Sequence, residues 1–220
     1  YLDEDQVEST INTNPDYVGI PTQITAPSGF NMNPTPGQTS ENQFVSYLND
    51  RYRNASGPLL NARLMTYAEL NFILAEAAHS DKGWAVNGSA ESYYNEGVKA
   101  SLEEWTVGDD VADYLNEGLV SYDGTLERIM EQKWIASWTA AQEAWFDYRR
   151  TGFPDLQTGP AAPRNALPLR FPYGSNELLF NRDNVSAAID KLEPTRFSQG
   201  QDNSLWDRPW VLQGLDQPYN

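Results

Sequence analysis

Hydrophobic residues recur at helical spacing in two parts of the chain and are scattered elsewhere. In the segment 62–79, one face carries Leu64, Tyr67, Ala68, Leu74, Ala75 and Ala78, and a second face carries Leu70, Phe72 and Ile73. Because two faces are apolar, we predict a helix that is mostly enclosed by the rest of the protein. Ser89 then precedes a second apolar stripe and predicts the N-cap of another helix. Joined by the connection 81–88, the two form a predicted helical hairpin.

A second hairpin is predicted over residues 125–151. Its stripe repeats every fourth residue and then resumes, at Leu126, Met130, Trp134, Trp138, Ala141, Trp145 and Tyr148. Thr139 and Gln142 have the spacing of a capping box, which predicts that one helix ends and another begins there. Gly152 and Pro154 predict the end of the second helix.

The two hairpins indicate a mostly α fold of tetratricopeptide-like helical hairpins that carry long irregular loops, although the strict repeat consensus is not met. We predict that Trp134 and Trp145 are core residues, because both lie on the apolar stripe. The acidic cluster between the hairpins lacks the alternating Asp and central Gly of a calcium loop, so we predict a short solvated helix over 111–115.

The remaining segments are rich in Asn, Pro, Gly, Ser and Thr, which predicts irregular structure. We divide the chain into a loop-rich region, 1–60, packed on the helical core, and a helical domain, 61–220, with an irregular C-terminal segment. In that segment only 186–191 is a helical candidate. The stretch 205–210 contains two tryptophans, which predicts that it docks on the domain.

Four motifs follow one another in a fixed order. They are Tyr67-Ala68-Glu69, Gln132-Lys133-Trp134, Glu143-Ala144-Trp145 followed by Arg149, Arg150 and a Gly-Phe-Pro, and the run from Pro168 to Glu177. With these motifs the chain resembles the SusD/RagB family, densely from about residue 63 to 190. It departs from the family at Phe171-Pro172-Tyr173, where the usual Tyr-Pro order is reversed.

The resemblance implies a non-catalytic lipoprotein of the outer membrane that binds oligosaccharides at the cell surface. It also implies a partner, a SusC-like TonB-dependent transporter through which the ligand is imported. On this basis we expect the chain to be the C-terminal portion of a longer protein. We therefore expect the N-terminal half to be absent from this chain. That half would carry a lipid anchor, which we expect to be the protein's attachment to the membrane. Peptide binding, as in RagB-type members, is the first alternative, and a helical scaffold with only protein partners is the second.

Charge and composition exclude several kinds of partner and of catalytic or metal site. The formal charge is −16, from 31 acidic and 15 basic residues, which argues against nucleic acid as a partner. The chain has no cysteine and one histidine, His79, so neither a conventional zinc site nor a thiol nucleophile can be assembled, and no cofactor is predicted. We expect His79 to end the first helix and to complement the negative pole of that helix.

Glu143 and Asp147 lie one helical turn apart, and such adjacent carboxylates suggest the acid and the nucleophile or base of a glycoside hydrolase. Arg149 and Arg150 follow within a turn, and we expect them to pair with these acids, keep both ionised and lock the hairpin to the loop after residue 154. The hydrolase is therefore the least favoured alternative, and we predict no enzymatic activity.

The aromatic excess, with 7 Trp and 12 Tyr, suits a glycan ligand, because sugar rings pack on aromatic faces while polar side chains bind their hydroxyls. Such contacts require rings on irregular segments beside polar groups. The candidate ligand-binding residues are Tyr17, Phe30, Tyr47 and Trp84, the first three near Asn31, Asn33 and Asn49.

Overall fold

A computed structural model of the chain describes residue 52 and the ranges 62–79, 84–156, 164–200 and 202–215, together with residues 158, 162, 218 and 219. The α-helices in this part are α1 (Tyr67–Ala78), α2 (Ala90–Glu104), α3 (Val111–Asn116), α4 (Leu126–Ala136), α5 (Ala141–Thr151), α6 (Ser175–Phe180) and α7 (Arg182–Ile189). Two 3-10 turns lie at Gly108–Asp110 and Trp210–Leu212. Extended pairing within the described residues is limited to one bridge, Glu193 with Arg208. The predicted mostly α, hairpin-based fold is confirmed, and none of the described helices is both long and apolar enough to cross a bilayer.

The first hairpin consists of α1 and α2, each started by a hydroxyl cap. The side chain of Thr66 accepts a hydrogen bond from Glu69 N at 3.0 Å, and the Ser89 side chain accepts one from Ser92 N at 3.1 Å. Both bonds satisfy backbone donors that a helix N-terminus otherwise leaves unpaired. The predicted Ser89 cap is confirmed.

The core lies between α1, α2 and α4. Its buried members are Ala68, Phe72, Ala75, Tyr94, Val98, Val120, Ile129 and Met130. Helices α1 and α2 approach closely at Gly97, where an added Cβ would lie 3.1 Å from the Phe72 ring. Burial raises the pKa of the Tyr94 hydroxyl, which donates a hydrogen bond to the Val120 carbonyl. The first hairpin is thus a closed unit with α4 packed across it.

His79 is the C-cap residue of α1, as the sequence predicts. Its Nε2 donates to the carbonyl oxygen of Gly124, 3.1 Å away, just before α4 begins. The ring therefore connects the end of α1 to the start of α4, and its interaction with the helix dipole stays a prediction.

The second hairpin consists of α4 and α5, as predicted, but its interior differs from the prediction. The capping box does not form, since Ala140 is the N-cap residue of α5 and makes no side-chain cap bond. Trp134 is 43% exposed, so its assignment to the core is wrong, and Trp145 is only half-buried. The stripe of rings lines an open groove, because no described element covers it from outside.

The C-terminal segment is more helical than predicted. Helix α7 begins before the expected 186–191 segment, and the short helix α6 lacks an apolar stripe that could have revealed it. Trp206 is buried and its indole N–H donates to the Ala166 carbonyl at 3.0 Å, so docking of 205–210 is confirmed there. The predicted docking is wrong for Trp210, whose side chain is 82% exposed.

The short helix predicted at 111–115 is confirmed as α3. It is linked to the core by a hydrogen bond of 3.3 Å from the Tyr114 hydroxyl to Gln132 Oε1. Within the described ranges, no group of three or more acidic or histidine side chains is placed to hold a metal ion.

Candidate functional site

A network of four charged side chains joins three helices. The Arg150 guanidinium pairs with both carboxylate oxygens of Glu76 on α1, the Nη2 contact measuring 2.8 Å, and lies 2.9 Å from Asp147 Oδ1. Lys133 on α4 holds the other Asp147 oxygen at 2.6 Å. Glu76 and Lys133 are buried, so each charge needs its partner. Burial alone lowers the pKa of Arg150, but Glu76 and Asp147 raise it above its usual value.

This network corrects the predicted pairing. Arg150 binds Asp147 as expected, but Arg149 lies over the Trp145 ring, 4.4 Å from its centroid, and burial lowers the pKa of Arg149. The charges lock the second hairpin to α1, not to the loop after residue 154. That loop is reached by another contact, in which the Trp145 indole N–H donates to the Pro168 carbonyl at 2.8 Å.

Three rings meet where α2 and α4 end. Trp105 and Trp138 lie 4.8 Å apart between centroids, and Tyr52 stands edge-on to Trp138 at 6.2 Å. The Tyr52 hydroxyl also donates to the Trp105 carbonyl at 2.9 Å. We call Tyr52, Trp105 and Trp138 the aromatic cluster. Two concave surfaces extend from it, and they differ in chemistry.

The first surface, the polar cavity, has a volume of about 320 Å³. Its wall is formed by the lead-in to α1 (62–66), Glu69, Trp105, four residues at and after the end of α4 (136, 137, 139 and 140) and Glu143. Glu69 is half-buried in the first turn of α1, and Glu143 is exposed in the first turn of α5. The hairpin ends thus bring together two carboxylates, the hydroxyls of Ser137 and Thr139, and an aromatic wall.

The second surface, the apolar groove, has a volume of about 560 Å³ and lies between α4 and α5. Its lining is almost entirely apolar and includes Trp134, Ile135, Trp138, Trp145, Leu156 and Leu167. It therefore offers contact area but few hydrogen-bonding groups. A ligand rich in hydroxyls would lose hydrogen bonds to water in this groove without replacing them.

The family now follows from comparison with known proteins. Residues 7–174 match the SusD-like family described as "Starch-binding associating with outer membrane". The chain belongs to this family. The SusD-like assignment made from the four motifs is thereby confirmed. No curated protein matches the chain.

Solved SusD-like structures resemble the chain as well. A SusD homolog from Bacteroides vulgatus is 26% identical, with a TM-score of 0.60 over 83% of this chain and 41% of that one. A chitin-binding SusD homolog from Flavobacterium johnsoniae is 27% identical, with a TM-score of 0.55, covering 70% and 37%. A SusD-like protein from Bacteroidetes AC2a is 29% identical, with a TM-score of 0.55, covering 67% and 30%. The chain therefore spans well under half the length of each.

Among the predicted ligand-binding residues of this SusD-like chain, Trp84 is described and Tyr17, Phe30 and Tyr47 lie outside the described residues. Trp84 is 65% exposed in the connection between α1 and α2, as a stacking ring must be. It lines neither the polar cavity nor the apolar groove. Sequence reasoning missed the polar cavity, because its wall comes from three segments that only the folded hairpins bring together. The one available signal was Trp105 and Trp138 at the ends of two predicted helices.

Proposed function

We propose that this chain is the ligand-binding part of a non-catalytic, lipid-anchored protein of the cell surface. Its task is to capture oligosaccharides for import through a SusC-like TonB-dependent transporter of the outer membrane. The observation that carries the proposal is the family match over residues 7–174, since the family description names starch binding and the outer membrane. The 27% identical chitin-binding homolog supports the same ligand class.

The proposal assigns the stacking contacts to Trp84 and, outside the described residues, to Tyr17, Phe30 and Tyr47. Trp84 supports this placement by its exposure on a connection between helices. An exposed indole offers a flat apolar face to the C–H face of a sugar, and neighbouring polar groups bind the hydroxyls.

A purely binding role is supported by the state of the adjacent carboxylates. Both oxygens of Asp147 are engaged, one by Lys133 and the other by Arg150. A glycosidase needs one carboxyl group to give up a proton and a second to attack or to activate water. Asp147 is not free for either task, so the pair Glu143 and Asp147 does not form a hydrolytic centre.

The proposal is tested with the intact protein on a glycan array and, in parallel, on a peptide library. Binding to glycans alone is the expected result, and binding to peptides alone would replace the proposal with a RagB-type function. Release of reducing sugar from a bound glycan by the parent, abolished in Glu143→Gln, would show a hydrolase. Co-purification with an outer-membrane transporter tests the import step.

The Trp84 contact is tested by calorimetry with the glycan that the array identifies. Trp84→Ala should weaken binding by about 1–3 kcal/mol, as for a stacking residue at an interface, with an unchanged melting temperature. Trp210→Ala is the matched control, because Trp210 is also an exposed tryptophan but lies in the C-terminal segment. Equal losses in both variants would remove Trp84 from the site.

A further inference from the structure

The polar cavity contains carboxylates without cationic partners, unlike the other inward-facing acids of the hairpins. Glu76 and Asp147 are each paired with a basic side chain. Glu69 and Glu143 form no ion pair within the described part of the chain. An ionised carboxylate only accepts hydrogen bonds, so both groups are available to donors from solvent or from a ligand.

The one cation among the described residues of the wall does not neutralise them. Arg63 pairs with Glu104 and lies over the Trp105 ring, 4.7 Å from its centroid. With Arg63 engaged in this way, Glu69 and Glu143 give the described wall of the cavity an excess of negative charge. A ligand that is itself an anion is therefore repelled.

The remaining polar side chains of the described wall are hydroxyls. Those of Ser137 and Thr139 both donate and accept hydrogen bonds. This mixture suits a ligand whose groups both donate and accept. An ammonium group only donates, whereas sugar hydroxyls do both.

We propose that the polar cavity is a subsite for one neutral sugar unit, whose hydroxyls donate to Glu69 and Glu143, and that these carboxylates exclude acidic sugars. The proposal rests on the proposed function and names the class of glycan. A volume of about 320 Å³ is at the lower end of small-molecule pockets, which fits one ring and not a longer chain. The remaining units of the oligosaccharide extend outward past the exposed Leu64 and Met65.

The test uses calorimetry on the intact protein with five hexasaccharides. Malto-, cello-, xylo- and chitohexaose are the neutral probes, and hexagalacturonate is the acidic probe. We expect the parent to bind at least one neutral hexamer and not the acidic one. Glu69→Gln and Glu143→Gln should each weaken the neutral hexamer about 10-fold, since a hydrogen bond to a charged acceptor becomes one to a neutral acceptor.

Glu127→Gln is the matched control and should bind like the parent. Like Glu69, Glu127 lies in the first turn of a hydroxyl-capped helix, in this case α4, but outside the cavity. Thr139→Val, at an exposed wall position, should weaken binding about 5-fold by loss of a neutral hydrogen bond, and it serves if a Gln variant fails to fold. Melting curves verify the fold of every variant.

The outcomes separate the subsite from the function. If the cavity variants bind the neutral hexamer as the parent does, the subsite is overturned while the proposed function stands. Binding of hexagalacturonate as tightly as a neutral hexamer overturns the exclusion of acidic sugars. A parent that binds none of the five hexamers also overturns the subsite, and a blank glycan array with the same preparation overturns the proposed function with it.

Discussion

The two hairpins carry similar apolar stripes, but the stripe is buried in the first hairpin and largely exposed in the second. In the first, Phe72 on α1 meets Tyr94 on α2 edge to face at 6.1 Å, and both rings are fully buried. In the second, Trp134 and Trp138 on the α4 stripe remain more than 40% exposed. The first hairpin is covered by α4, whereas no described element covers the outer side of the second. A stripe with helical spacing therefore identifies a helix face that is able to be buried. Whether that face is buried depends on a further element that packs over it, as α4 does over the first hairpin.

The two hairpins also differ in what they contribute to the protein, since one supplies a buried core and the other supplies exposed concave surfaces. The first hairpin supplies a closed core, while the second turns its rings and its first-turn carboxylate toward solvent at the apolar groove and the polar cavity. The charged network of Glu76, Lys133, Asp147 and Arg150 holds the open hairpin against the closed one. Each of the following variants weakens one side of this contrast.

The largest effect is expected in the closed hairpin. Phe72→Ala should lower the free energy of unfolding by about 3–5 kcal/mol, because it leaves a cavity at a fully buried site between α1 and α2. Chemical denaturation of the intact protein measures the change. Phe146→Ala in the open hairpin is the control, and its half-exposed ring should contribute far less. Similar losses in both variants would contradict the contrast between the hairpins.

The helices were predictable to the extent that they combine a stripe with a cap. Ser89 precedes α2 with a hydroxyl, and that boundary was found from sequence. Helix α6 has neither signal, since Leu178, Leu179 and Phe180 are consecutive and all exposed, and it was missed. Burial was predicted less well than helicity, because the spacing that suits Phe72 also suits Trp134.

The second effect concerns the connection between the hairpins. Asp147→Asn should cost about 2–4 kcal/mol, since it leaves the buried Lys133 ammonium without its carboxylate, although Asp147 retains some contact with solvent. Glu143→Gln on the same helix is the control and should change stability by less than about 0.5 kcal/mol, because Glu143 is exposed and forms no described ion pair. Thermal and chemical unfolding of both variants give the comparison. A cost for Glu143→Gln equal to that of Asp147→Asn would show that the network is not what joins the hairpins.

The candidate site was less predictable than the fold, for a physical reason. The polar cavity unites Glu69, Trp105 and Glu143, which are 36 and 38 residues apart in turn, so no local pattern contains them. Only part of the charged network could be predicted from the sequence. Arg150 and Asp147 lie on one helix, whereas Glu76 and Lys133 lie on two other helices. Trp84 could be proposed from sequence because exposure on a connection is a local property.

A smaller effect is expected at the open hairpin. Trp134→Ala should cost about 1–2 kcal/mol, below the range of a core tryptophan, because nearly half of the ring is already in water. Trp145→Ala should cost more, since it also removes a hydrogen bond to the Pro168 carbonyl. Denaturation curves at one temperature rank the two variants. A loss for Trp134→Ala as large as that for Phe72→Ala would mean that the groove is covered in solution.

The smallest effect distinguishes how the two helices of the second hairpin begin. The Thr125 hydroxyl accepts a hydrogen bond from Arg128 N at 3.1 Å at the start of α4, so Thr125→Ala should cost about 1 kcal/mol. Thr139 makes no cap bond to α5, which begins after Ala140. Thr139→Ala should therefore change stability by less than about 0.5 kcal/mol, as for an exposed surface position. Equal losses in the unfolding free energies would indicate that a capping box forms at Thr139 in solution. In that case the second hairpin would be started by hydroxyl caps at both helices, as the first hairpin is at Thr66 and Ser89.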